Sequence, residues 1–81
     1  AGTPYAVRVY TSADSGEEIR AAYDREMHER GFQRIGAPQD DWRGYLRGGA
    51  YIGVGTASKN GSTTVSIAEM GAAPSSPREI R

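Results

Sequence analysis

Tyr10, Arg43, Tyr45, Arg47 and Tyr51 belong to the residue types that concentrate at binding hot spots. Each sits in a stretch that alternates in strand fashion, with apolar or small residues between them. If the intervening residues face a core, these five face outward, joined by Arg8, Gly53, Gly55, Ser66 and Ala68. Long half-apolar side chains would then flank a strip of very small ones, a shallow groove for a peptide, a glycan or a partner. The plainer reading is a wetted sheet face. Antiparallel sheets commonly show water one polar side, and Tyr and Arg cover such a side with their stems and rings.

Other residues offer less. His28 is the sole histidine, one turn after Asp24. A general base needs a nucleophile or acid placed beside it. The ordinary alternative is an exposed helix residue paired with Asp24. Asp40–Asp41 lacks the several spaced oxygen ligands of a hard-cation site and suits a turn. The run GVGTASK, 53–59, looks like a phosphate loop but lacks the GxxxxGK[ST] spacing. It leads through Asn60–Gly61 into a strand, so no helix N-terminus awaits a phosphate. No catalytic residue, metal ligand or cofactor is expected. Tyrosines on a sheet would suit single-stranded nucleic acid. Against that stand a formal net charge of zero, the lack of a second helix and the lack of an RNP pattern.

The element that must organise the rest is 15–31, SGEEIRAAYDREMHERG. Ile19, Ala22, Tyr23 and Met27 form one apolar stripe at helical spacing. Asp14 with Glu17, or Ser15 with Glu18, can start the helix. Glu17 and Glu18 complement the N-terminal dipole, and Arg30 the C-terminal one. Gly31 followed by Phe32 is a stop signal. Three i,i+4 ion pairs (Arg20–Asp24, Arg25–Glu29 and Glu26–Arg30) line the other face. A lone amphipathic helix is marginal in water, so a sheet must cover the stripe.

The strands follow. Tyr5 to Thr11 alternates β-branched and aromatic residues. Phe32 to Ile35 is a short second strand, and GAPQDD, 36–41, a turn. Trp42 to Arg47 is a third strand, joined by Gly48–Gly49 to a fourth, Ala50 to Ala57. Asn60–Gly61 is a type I′ hairpin signal leading to a fifth, Ser62 to Met70. The order β-α-β-β-β(-β) gives an α+β fold of two layers. One helix packs on an antiparallel sheet of four to five strands. The expected core is Val7, Val9, Ile19, Ala22, Tyr23, Met27, Phe32, Ile35, Trp42, Leu46, Ile52, Val54, Val65 and Ile67. Residues 1–70 form the domain; 71–81, GAAPSSPREIR, read as a disordered tail or linker.

Eighty-one residues make one domain with a modest core. The absence of cysteine removes disulfides and thiolate metal sites and is neutral about compartment. No apolar run reaches the length of a membrane helix, and no signal-peptide pattern is present. Beginning at Ala1, the chain reads as a processed protein or an excised domain.

Tyr23, Met27, Gly31 and Phe32 follow the pattern (F/Y)Y-x-x-x-(L/M)-x-x-x-G-(W/F) after a first strand. Over most of its length the chain resembles small helix-on-sheet modules of bacterial envelope proteins and lipoproteins. The matched positions are core and capping ones, so the resemblance implies a fold and an extracytoplasmic setting, periplasmic or envelope, and no catalytic residue. The expectation is a non-catalytic binding or assembly module within a larger bacterial envelope protein. It would take a protein partner or a second copy on the Tyr/Arg face or on a free sheet edge. The alternatives are a small enzyme or accessory subunit around His28, and a nucleic-acid module on the Arg/Tyr face.

Overall fold

The computed structural model describes residues 5–36, 41–71 and 77–80. Of the two start signals, Ser15 caps helix α1, Gly16–Glu29. Its Oγ accepts from Glu18 N–H at 3.1 Å, and the Glu18 carboxylate accepts back from Ser15 N–H at 3.4 Å. Asp14 is used otherwise: its carbonyl accepts from Thr63 Oγ1 at 2.7 Å, tying the helix entry to the sheet. The far end closes as a Schellman turn. Gly31 takes φ +83°. Its N–H donates to His28 O at 3.0 Å, and Phe32 N–H donates to Met27 O at 2.9 Å. That turn folds Phe32 back into the core.

Five strands form one sheet: β1 (Tyr5–Ser12), β2 (Gln33–Ile35), β3 (Trp42–Arg47), β4 (Ala50–Lys59) and β5 (Ser62–Gly71). Every neighbour is antiparallel, in the order β1-β5-β4-β3-β2. The strands after the helix run as the expected meander, and β1 closes the far side beside β5. Asn60 and Gly61, at φ +52° and +78°, make the β4–β5 hairpin and pair Lys59 with Ser62. The two-residue Gly48–Gly49 loop pairs Arg47 with Ala50. Helix α1 lies across β4 and β2. The core is Ile19, Tyr23, Met27 and Phe32 against Tyr10, Tyr45, Ala50, Ile52, Val54, Val65 and Ile67.

The expected core holds on α1, apart from the half-buried Ala22, and on β4 and β5, and fails on β1, β2 and β3. Val7, Val9, Ile35, Trp42 and Leu46 lie exposed on the side away from the helix, while Tyr10 and Tyr45 are buried beneath it. Side chains alternate strictly along a strand, so a one-residue error of phase turns every one of them over. Both phases of β1 and β3 are amphipathic. The buried phase is the one whose tyrosine hydroxyls find partners on α1, Tyr10 with Tyr23 and Tyr45 with Asp24.

Of the 71–81 tail, residues 72–76 and 81 lie outside the described residues. Pro77–Ile80, expected to be disordered, packs against β1 and α1. Pro77 is buried and Ile80 joins the core edge. Arg8 donates to Pro77 O at 2.6 Å. Ile80 N–H donates to Tyr10 Oη at 2.8 Å, Tyr10 and Tyr23 hydroxyls meet at 2.6 Å, and Tyr23 Oη donates to Arg78 O at 2.9 Å. One relay of hydroxyls thus satisfies two backbone groups of the segment, over a part of the sheet that α1 leaves open.

Candidate functional site

The register sorts the residues of the proposed contact surface. On the helix side, the row Tyr10–Val65–Thr56 lies next to Arg8–Ile67–Val54–Arg43 and Glu69–Ile52–Tyr45–Arg34. Tyr10, Arg43 and Tyr45 therefore leave the exposed face on which they were expected. Arg47 also belongs to the helix side. It donates to Arg30 O at 2.6 Å, closing the last turn of α1, and its guanidinium stands 4.8 Å over the Phe32 ring. Of the five, only Tyr51 lies on the outer face.

The polar set instead builds a half-buried knot around Asp24, with Arg43 and Tyr45 on its buried side and Arg34 at the surface. Arg43, 5 % exposed, donates to its Oδ2. Arg34 donates to the same oxygen at 3.1 Å, and Tyr45 Oη donates to Oδ1 at 2.7 Å. Burial alone would push the Asp24 carboxyl up. The hydrogen bonds from Tyr45 and Arg43 and the charges of Arg43 and Arg34 outweigh it and hold the group below the usual carboxylate range. Burial, then the bond to Asp24, pushes the Tyr45 phenol well above its ordinary value. Burial and the bond from Tyr10 do the same to Tyr23. A cleft of about 240 Å³ opens beside this knot, lined by Asp24, His28, Phe32, Arg34 and Tyr45. His28 is exposed at its rim. Asp24 accepts from three donors and so holds Arg43, Arg34 and Tyr45 together under the helix. Asp40 lies outside the described residues. Asp41 accepts from Arg20 at 3.5 Å on the surface, and its carbonyl accepts from Thr56 N–H at 2.9 Å.

The outer face is a different surface from the one expected. Its rows are Met70–Tyr51–Leu46–Gln33, then Val7–Ala68–Gly53–Gly44–Ile35, then Val9–Ser66–Gly55–Trp42, then Thr11–Thr64–Ala57. Among the described strand positions facing this way, only Lys59 at the hairpin tip is charged. Trp42 explains the glycines. Its indole lies flat across Gly53 and Gly55, where a Cβ on Gly55 would sit 2.6 Å from Trp42 Cε3. The indole Nε1 donates to Tyr51 Oη at 3.2 Å. The groove expected over the small residues is thus partly filled, and a shallow depression of about 280 Å³ remains beside the ring. Val9 is 62 % exposed, Val7 52 % and Trp42 44 %. With Ile35, Leu46 and Met70 they leave on the order of 500 Å² of apolar side chain in water, near the upper end for the largest patch of a monomer.

Among the described residues, no helix is long and apolar enough to cross a membrane. No known protein family, curated protein or solved structure matches this chain.

Proposed function

We propose that the chain is a non-catalytic binding or assembly module, a domain of a larger bacterial envelope protein, whose contact surface is the outer face of its sheet. One observation carries the reading. A sheet face that shows Val7, Val9, Ile35, Trp42, Leu46 and Met70 to solvent has no charge along its body. Single exposed apolar residues need no explanation, but a contiguous set of this size marks an interaction surface. The core does not require it, because the helix and the 77–80 segment already serve the opposite face. Tyr51 contributes its ring to this surface; Tyr10, Arg43, Tyr45 and Arg47 support it from below. The envelope setting rests on the helix pattern through Tyr23, Met27, Gly31 and Phe32.

A photo-crosslinking residue in place of Val9 or Leu46 tests the reading in an extract of the source cells, with Arg25 on the exposed helix as control. Adducts from the two sheet positions and none from Arg25 are expected. No adduct from either sheet position refutes the surface. The reading centred on His28 draws on the 240 Å³ cleft and requires a group for His28 to act with. The nucleic-acid reading loses its array, since Arg43 and Tyr45 face the helix.

A further inference from the structure

Resting on that reading, the geometry points to one occupant for the outer face: a second copy of this chain, packed sheet to sheet about a two-fold axis that runs along β5. Three properties of the face single out a copy of itself.

The first is size. Rotation about β5 stacks β1, β5 and β4, eight to ten residues long, on the same three strands of the partner; at about 4.8 Å per strand and about 3.3 Å per residue the shared footprint is roughly 400 Å². With its relief, such a face supplies about 600 Å² per partner, the low end of standard interfaces. β3 and β2 extend past the partner's β1 edge, so Leu46 and Ile35 lie at the rim of the contact.

The second is charge. A two-fold interface sets each residue against the same surface in another copy, so a charge near its centre meets its like. Along the body of this face the described strand residues carry none, and Lys59 sits at the hairpin tip, outside the overlap. A surface built for a charged or strongly polar partner would be expected to carry complementary charge.

The third is relief. β5 presents the small Ser66 and Ala68 between two higher ridges, Val7 and Val9 on β1 and the Trp42 ring over β4. Val9 pairs with Ser66, which pairs with Gly55; Val7 pairs with Ala68, which pairs with Gly53. Rotation about β5 exchanges the positions of β1 and β4. It therefore carries Val7 and Val9 of one copy over Gly53, Gly55 and the indole of the other, beside the 280 Å³ depression. Ser66 and Ala68 meet their own counterparts on the axis, where small side chains let the sheets approach to the usual separation of about 10 Å. The product is a four-layer helix–sheet–sheet–helix dimer whose aliphatic–aromatic contact is made twice.

The purified chain tests this. Light scattering is expected to give twice the 8.7 kDa chain mass. Val9→Glu is expected to return the mass to a single chain with an unchanged circular dichroism spectrum, since an exposed position accepts the charge in the monomer. The chain has no native cysteine. Ser66→Cys on the axis is therefore expected to be joined to its counterpart by a short bis-maleimide, about 10 Å across the two backbones being too far for a direct disulfide, and Arg25→Cys on the far face is not. A single-chain mass at every concentration up to about 1 mM, the weak end of specific association, overturns the dimer. So does a dimer indifferent to Val9→Glu. Crosslinking from Val9 to a different protein, with the purified chain monomeric, would overturn self-pairing while leaving the wider contact surface standing.

Discussion

Asp24→Asn is the sharpest probe of how the helix side of the sheet is held. Asparagine keeps the shape and an acceptor for the two arginines, with its amide NH2 turned to the Tyr45 hydroxyl, but removes the charge. Arg43, its side chain 6 % exposed, is then left buried beside a neutral partner. Breaking one member of a buried pair typically costs about 3–5 kcal/mol. The Asp24 side chain is 26 % exposed, so we expect the lower end, about 3 kcal/mol. An 81-residue domain has a total stability of only about 4–12 kcal/mol, and the loss corresponds to a fall in Tm on the order of 12–20 °C. Urea unfolding followed by circular dichroism measures it. Arg34→Ala is the control. That side chain is 37 % exposed and its loss should cost under about 1 kcal/mol. Adding Arg43→Met to Asp24→Asn removes the stranded charge and should recover more than half of the deficit. The pH dependence gives a further check. The folded-state Asp24 sits below its ordinary 3.8, so its contribution is full above the unfolded value and lost as pH falls through the folded one. The wild-type advantage over Asp24→Asn should therefore shrink as pH drops below about 4. If Asp24→Asn unfolds within about 0.5 kcal/mol of wild type at neutral pH, Arg43 reaches water and the knot is not what fixes β3 under the helix.

Tyr23→Phe removes the hydroxyl that bonds both Tyr10 and Arg78 O. It should cost about 1 kcal/mol and speed amide exchange at Ile80 more than at Ile67. In alkali, the raised values of Tyr23 and Tyr45 mean their stability contributions are intact below the unfolded tyrosine value of 10.0 and eroded as pH rises above it. A pH titration of the unfolding midpoint from 8 to 11 should show that decline. Gly55→Ala drives a Cβ into the Trp42 ring. Because the ring is half-exposed it should lift off the sheet at a cost of about 1–2 kcal/mol, seen as a shifted emission of the sole tryptophan. Ser15→Ala should cost about 1 kcal/mol by thermal unfolding, through loss of the capping box.

Local patterning made most of the fold legible. The helix with its cap and Schellman stop, the Asn60–Gly61 and Gly48–Gly49 hairpins, and the buried phase of β4 and β5 all follow from short-range rules. So does the two-layer class, because one amphipathic stripe needs one sheet. Part of the phase error was also legible. A two-residue loop at Gly48–Gly49 forces Arg47 opposite Ala50, hence Leu46 opposite Tyr51 and Tyr45 opposite Ile52. With Ile52 in the core, Leu46 cannot be, and Trp42 follows Leu46 outward. The single-residue pattern of WRGYLR hides this, because either of its faces can be buried.

Three features came only with tertiary structure. β1 pairs with β5 across more than fifty residues of chain, so nothing local decides whether Val9 or Tyr10 turns inward. The choice is made by Tyr23 and by residues 78–80, which supply partners for the Tyr10 hydroxyl. Asp24 gathers Arg34, Arg43 and Tyr45 from two strands, a convergence that spacing within one helix cannot show. Pro77–Ile80 looks too polar to order by itself, and it orders because two buried tyrosines and Arg8 await its backbone. Periodicity along a chain thus determined which elements form, since it acts over a few residues. Which face of each outer strand meets water was settled where distant side chains had to satisfy one another's hydrogen bonds.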